Sequence, residues 1–397
     1  MINILFVDDE PKILQGLQRM LRPMRDEWQM WFANSGEESL GLLEEQNIEV
    51  VVSDMRMPRM DGAQLLTEVR SKYPQIIRII LSGYSEKEMV MKSVGAAHQY
   101  LSKPCDAEIL KHTIESVRSL QSILNNDVLR RLVAQMPHVP SLPDLYFALK
   151  DELKNPEPST QKVAEIIKKD IGMTVKILQI VNSAFFSSRR TISDTKEAIN
   201  YLGLDTINSL TLGLAVISQF EGQQISGIRF ADVWSHSTNV GAIANKIARS
   251  VNSQVATDAF TAGLLHDIGE VILAANLPEQ FARVNELQVQ ENISKAEAER
   301  EIFDATHADV GAYLLGIWGL PKNVVEAVAY HHCPREALNN SFSALTAVHA
   351  ANAINKYTSS QNPEMSEPEF DHEYLTTLGL AEKFPVWLEK YSDPEGN

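Results

Sequence analysis

The sequence predicts a multidomain chain, an α/β doubly wound parallel sheet followed by an all-α region. Two observations carry this expectation. Through residue 120, short apolar runs alternate with helical periodicity, as expected for strands covered on both faces. Beyond Pro137, Pro140 and Pro143 that alternation stops, and apolar residues recur by threes and fours. A chain of 397 residues can hold two or three domains, each large enough to bury its own core.

The expected strands are Ile4–Val7, Val50–Ser53, Ile77–Leu81 and Gln99–Ser102. Each is followed by residues able to do chemistry: the pair Asp8–Asp9, then Asp54, Ser82 and Lys103. Ligands of doubly wound sheets gather at the carboxyl ends of the strands, so these side chains should meet at one edge. Three clustered carboxylates repel one another and would raise their own pKa values unless a cation binds. Mg2+ suits such a site, held by Asp9, Asp54, the backbone carbonyl of Arg56 and water. Asp54 could then attack a phosphoryl group and form an acyl phosphate. Lys103 and the Ser82 hydroxyl would hold the transferred oxygens. A lone aspartate is more often a solvated loop residue, but five matched groups at strand ends reverse that balance.

From Asp106 to Met136 the pattern predicts one long amphipathic helix, with Leu110, Ile114, Val117, Leu120, Leu124, Val128 and Leu132 on its apolar face. This stripe either packs on its own sheet and the next domain, or also pairs with a second copy as a homodimer. The helices expected beyond it are Leu145–Lys154, Ser159–Ile167, Met173–Ser183, Asp194–Leu202, Asp205–Phe220, Ala231–Val251, Ala256–Asn276 and Glu279–Glu291. Ser159 and Asp205 supply N-caps, and Gly203 ends a helix. Trp234 and Trp318 read as core anchors rather than stacking platforms. Gly222–Ile228 and Thr358–Phe370 read as exposed linkers.

The helical region carries His236, His266 beside Asp267, His307, the pair His331–His332, and His349. Imidazoles and a carboxylate pointed into a helical bundle can build a mono- or dinuclear metal site, with His236, His266, Asp267, His307, His331 and His332 as candidate ligands of a transition metal. Such a site can activate water for phosphate-ester hydrolysis. The same groups can equally serve as hydrogen-bonded polar members of the core.

A formal net charge of −16 opposes nucleic-acid binding, which draws on Lys and Arg releasing counterions. No helix-turn-helix with a basic recognition helix is visible. No run approaches the roughly 18 apolar residues of a membrane span, and the first residues show no signal-peptide pattern. The expected location is therefore cytoplasmic, without membrane attachment. Cys105 and Cys333 are too few for a disulfide framework or a cysteine-rich zinc site.

Residues 1–120 resemble the flavodoxin-like receiver domain of two-component response regulators. The resemblance rests on Phe6-Val7-Asp8-Asp9-Glu10, Asp54 with Met57-Pro58 and Asp61-Gly62, Ser82-Gly83, and Lys103-Pro104. It implies phosphorylation of Asp54 by a sensor histidine kinase. It places Tyr100 at the aromatic switch position, and implies that Ser82 and Tyr100 move when the phosphoryl group arrives.

After a helical linker at 121–137, residues 138–357 resemble the HDOD domain, an all-α HD-like output module. The matching pieces are 139–143 (Val-Pro-Ser-Leu-Pro), Val175–Phe186, Ala198–Gly203, His266-Asp267-Ile268-Gly269, His307–Gly311, Trp318–Pro321 and His331–Pro334. His266-Asp267 is also the signature of the HD superfamily of metal-dependent phosphohydrolases. HDOD modules are regarded as non-catalytic relatives that act through protein contacts. The HD-GYP phosphodiesterases of cyclic di-GMP are the nearest catalytic cousins, and this chain departs from them in three places. Glu270 stands where a lysine is usual, Asn352 where a late aspartate ligand is usual, and the Gly-Tyr-Pro loop is missing after His332. An acid beside a di-anionic substrate should weaken its binding.

The resemblance implies a response regulator whose phosphorylation at Asp54 switches a non-catalytic module that contacts an unknown downstream signalling protein. A receiver-controlled phosphohydrolase, or a phosphate sink that drains a kinase, are the alternatives. Residues 358–397 form an acidic extension, with apolar residues enough for one or two short helices.

Overall fold

The computed structural model describes residues 1–83, 96–120, 123–136, 148–149, 151–153, 155, 157–182, 191–204, 207, 230–337, 341–359 and 368–391. The expected helix Asp205–Phe220 apart from Ile207, half of Leu145–Lys154, the loop Gly222–Ile228, the motif at 139–143, residues 360–367 of the expected linker and the side chain of Trp234 lie outside the described residues.

Strands β1 (Ile2–Val7), β2 (Trp28–Ala33), β3 (Val50–Asp54), β4 (Ile77–Ser82) and β5 (Gln99–Ser102) form one parallel sheet in the order β2-β1-β3-β4-β5. The register sets Val7 beside Ser53, Asp54 beside Leu81, and Ser82 beside Ser102. The residues that follow each strand therefore share one rim. Strand β2 was absent from the sequence expectation. It is an edge strand of Trp, Gln, Met and Phe whose middle residues are only half-buried, so it lacks the aliphatic run that marks β1, β3 and β4. Helices α1 (Pro11–Met20), α2 (Gly36–Glu45) and α3 (Gly62–Lys72) connect the strands. Asp61 closes a capping box with Gln64 at the start of α3.

The expected continuous helix Asp106–Met136 is two helices, α4 (Ala107–Leu120) and α5 (Asp127–Gln135). Asn126 is the reason: its side-chain oxygen accepts from Val128 N and Leu129 N, starting a new helix. The break shifts the helical phase. Leu120, Leu124, Leu129 and Val133 are buried, whereas Val128 is 69% exposed and leaves the predicted stripe.

Next come α6 (Thr160–Lys168), α7 (Ile171–Asn182), α8 (Thr195–Leu202), α9 (Phe230–Val251) and α10 (Ala256–Leu265). They are followed by α11 (Ile268–Asn276), α12 (Pro278–Glu291), α13 (Lys295–Phe303), α14 (His307–Ile317), α15 (Lys322–Tyr330) and α16 (Ala344–Ser359). The predicted helix Ala256–Asn276 is thus also broken, at His266-Asp267. Asp267 takes φ −100 and ψ 14, outside helical geometry, and stands at the N-cap position of α11. Short helices α17 (His372–Thr377) and α18 (Phe384–Tyr391) then pack back on the bundle. Phe370 stacks on Phe384 at 3.8 Å, and Thr346 Oγ1 meets Tyr374 Oη at 2.9 Å. Asp371 and Glu373 of the extension pair with Arg335 at the surface. No described helix is long and apolar enough to cross a membrane.

One apolar core runs from Ile4, Phe6, Val52 and Ile79 under the sheet, through α4 and α5, into the bundle. Polar bonds lock the same seam. Arg78 is buried on β4 and donates to Ala96 O at 2.8 Å, Ile76 O at 3.0 Å and Ala134 O of α5 at 2.6 Å. Burial holds its guanidinium down to about 9. Gln179 of α7 donates to His98 O at 3.0 Å, and Gln99 donates to Ile317 O at 3.2 Å. Asn126 Nδ2 reaches Phe303 O at 2.8 Å. A glutamine or arginine here satisfies backbone carbonyls that packing would otherwise leave dry.

Candidate functional site

At the sheet rim, Lys103 Nζ lies 2.6 Å from Asp8 Oδ2 and 2.5 Å from Asp54 Oδ1. Asp8 and Asp54 are buried, and Asp9 is half-exposed beside them. Asp54 Oδ2 accepts from Arg56 N at 3.0 Å, and Asp8 Oδ1 accepts from Glu10 N at 2.9 Å. Burial alone would lower the Lys103 ammonium, but its bonds to Asp54 and Asp8 more than offset that and raise its pKa. Lys103 N donates to Ser82 O at 2.8 Å, which ties the lysine turn to the end of β4. Ser82 and Tyr100 are both buried, Tyr100 at 2% exposure.

Gly62 is required here, because a Cβ would stand 2.1 Å from the Asp54 carbonyl oxygen. One ammonium among three carboxylates leaves this rim negative. Hard oxygen donors with an excess of negative charge fit Mg2+.

A second cluster lies inside the bundle. Asp267 Oδ2 is 3.0 Å from His266 Nε2 and 3.4 Å from His236 Nε2. Its Oδ1 is 3.4 Å from His307 Nε2 and 3.6 Å from His331 Nε2. His332 Nε2 stands 3.0 Å from His307 Nε2, and His236 Nε2 stands 3.3 Å from His266 Nε2. All six predicted residues therefore converge. His349 does not join them: its Nδ1 donates to His331 O at 2.8 Å and its Nε2 accepts from Asp371 N at 2.9 Å.

The outer partners fix which nitrogen carries the proton. Nδ1 of His266 faces Gly263 O at 2.7 Å, that of His331 faces Val328 O at 2.8 Å, and that of His236 faces Asn355 Oδ1 at 2.7 Å. His307 Nδ1 faces Glu299 Oε2 at 2.7 Å. Acceptors at Nδ1 demand a proton there, so Nε2 is the nitrogen that each of these rings has left to offer a metal ion in place of its contact with Asp267. His331 Nε2 is buried without a hydrogen-bond partner, as is Asn352 Oδ1. Burial pushes His331 down to about 3 and lowers His236 and His332, keeping them neutral at pH 7. His307 behaves oppositely. Burial would lower it, but Glu299 and Asp267 outweigh that and raise it to about 10. Burial would likewise raise Asp267, but the surrounding imidazoles hold it well below the usual carboxylate range.

These donors form two overlapping groups, His236/His266/Asp267 and Asp267/His307/His331/His332, each compact enough to hold a metal ion. Nitrogen-rich donors with ordered outer partners fit a borderline transition metal rather than Mg2+ or Ca2+. The backbone builds the cluster tightly. At Gly269 a Cβ would meet His307 O at 1.9 Å, so α11 and α14 touch main chain to main chain.

Sequence reasoning missed two parts. Glu270 is neutralised by Lys295 Nζ at 2.6 Å, so the acid is not the uncompensated charge expected from its place in the motif. Glu299, fully buried, orients His307 through both Nδ1 and the backbone N–H. Its spacing of eight residues before His307, on a helix otherwise rich in solvated acids, gave no signal.

A family model of the response regulator receiver domain matches residues 4–115, and a model of the HDOD domain matches residues 139–334. An uncharacterized protein of Treponema pallidum is 25% identical over 228 residues, covering 57% of this chain and 44% of that protein. The hydrogenase transcriptional regulatory protein HoxA of Cupriavidus necator is 36% identical over 118 residues, covering 29% of this chain and 23% of that protein. The chain thus spans less than half the length of these curated relatives. The crystal structure of the MmoQ response regulator from Methylococcus capsulatus superposes with a TM-score of 0.49 at 21% identity, covering 63% of this chain and 97% of that one.

Proposed function

We propose that this chain, a response regulator receiver domain joined to an HDOD output domain, is phosphorylated at Asp54 and thereby changes how its helical module meets a downstream signalling protein. The observation that carries this reading is Lys103 bridging Asp8 and Asp54 at the rim, beside Ser82 and one strand-end from Tyr100. An Asp54 carboxylate oxygen bonds to phosphorus as the bond from phosphorus to the donor's nitrogen breaks. Lys103 gives up one carboxylate partner for a phosphoryl oxygen, and the Ser82 hydroxyl donates to another. Asp9, Asp54 and the Arg56 carbonyl would hold Mg2+, which neutralises the charge that develops on the phosphoryl oxygens. The donor is a sensor histidine kinase. Because β5 sits in the seam with the bundle, a change at the rim reaches the output side through shared packing.

The test is capture of partners by full-length chain treated with acetyl phosphate, beside Asp54→Asn. Partners retained only by the treated, unsubstituted chain support the reading. Equal retention by both overturns the switch and favours a phosphate sink.

The imidazole cluster favours a second reading, a metal-dependent phosphohydrolase under receiver control. His236, His266, Asp267, His307, His331 and His332 would hold one or two transition-metal ions, which lower the pKa of a bound water. Lys295 removes the charge objection raised by Glu270. Metal analysis with a cyclic di-GMP hydrolysis assay decides: turnover abolished by His266→Ala would establish catalysis, and a metal-free, inactive chain would exclude it.

A further inference from the structure

We propose that helix α14 is a rigid rod coupling the receiver to the imidazole cluster, so that phosphorylation at Asp54 and metal binding at Asp267 alter each other. This rests on the phosphoswitch reading above and adds the route by which it acts. The helix begins at His307, whose Nε2 faces Asp267, and ends at Ile317, whose carbonyl accepts from Gln99. Its 11 residues span about 16 Å at roughly 1.5 Å per residue.

Both ends are seated without slack. At the receiver end, a Cβ on Gly316 would lie 2.3 and 2.6 Å from the δ-carbons of Leu120 on α4. Gln99 precedes Tyr100 directly, so the residue that bonds Ile317 is the neighbour of the aromatic switch position. At the cluster end, the backbone of Gly269 presses on His307 O, and Glu299 grips both the N–H and Nδ1 of His307.

Packed elements of this kind have discrete arrangements rather than continuous play. A shift of β5 that moves Ile317 O must carry His307 with it, changing the distance from its Nε2 to Asp267. A metal ion that fixes Nε2 opposes the same movement. The coupling is reciprocal by thermodynamic necessity.

The experiment titrates full-length chain with Zn2+ at fixed Mg2+, with and without beryllofluoride as a stable phosphoryl mimic, and follows hydrogen exchange of the 307–317 amides. Beryllofluoride should change zinc affinity by about fivefold or more and change exchange along α14. In Gln99→Ala both effects should shrink below about twofold, although beryllofluoride still binds at the rim. Should the mimic bind yet leave zinc affinity and α14 exchange untouched, the rod is overturned and the phosphoswitch reading survives. Absence of any beryllofluoride binding would defeat both. Failure of zinc to bind the unsubstituted chain would also overturn the coupling, and would leave the phosphoswitch reading standing.

Discussion

Replacing Gly269 by Ala tests how the imidazole cluster is built. The new Cβ would stand 1.9 Å from His307 O, 2.7 Å from its carbonyl carbon and 2.9 Å from Gly311 N. Carbon–oxygen contacts settle near 3.3 Å or more, so α11 and α14 must part by about 1.4 Å. No flexible side chain is available to absorb this, since every obstructing atom belongs to the backbone. Overpacking of this kind costs about 1–3 kcal/mol. A helical domain of this size should then lose roughly 2–12 °C in Tm. Displacing His307 from Asp267 should also weaken zinc binding about tenfold or more, a magnitude typical of disturbed ligand support. Gly16→Ala on α1 is the control: nothing lies within 4 Å of its Cβ, and helix propensity should stabilise it by up to about 1 kcal/mol. Circular-dichroism melting and zinc calorimetry give the two readouts. A Gly269→Ala chain that melts and binds zinc like the unsubstituted one would refute the backbone contact between α11 and α14.

Other expectations follow from the seam and its buried charges. Arg78→Met strips the side-chain donor from Ala96 O and Ile76 O, leaves Ala134 O with His98 Nε2 alone, and should cost at least about 2 kcal/mol in urea unfolding. Burial holds the Lys176 ammonium, 5.4 Å over the Trp318 ring, down to about 7. Below that pH both folded and unfolded chains are protonated, and the folded state bears the whole cost of a buried cation. Between about 7 and 10 only the unfolded chain keeps its proton, so stability climbs with pH. Lys176→Met should therefore stabilise most at pH 6 and little near pH 10, and equal gains in urea midpoint at both would contradict it. Tyr374→Phe removes a buried hydroxyl bond to Thr346 and should cost about 1 kcal/mol, read from the same midpoints.

The aliphatic strands β1, β3 and β4 were legible because burial on both faces writes an unbroken apolar run, and the rim residues followed from where those runs stop. Edge strand β2 was not, because one face meets solvent and its composition fits no single period. Helix breaks at Asn126 and Asp267 escaped because each interrupts a stripe that continues, in apolar content, through the break. A cap and a functional carboxylate outweigh periodicity there. The order of the histidines in the sequence pointed to the six side chains that converge, whereas Glu299 and Lys295 reach the cluster from α13, whose charged residues look like a solvated face until the helix is placed.

The most direct test of the account is intact and peptide mass spectrometry of full-length chain incubated with Mg2+ and acetyl phosphate. The account predicts one hydroxylamine-sensitive phosphate within residues 1–120, placed on Asp54 and missing from Asp54→Asn. A chain that gains no phosphate, or gains it equally after Asp54→Asn, would contradict it.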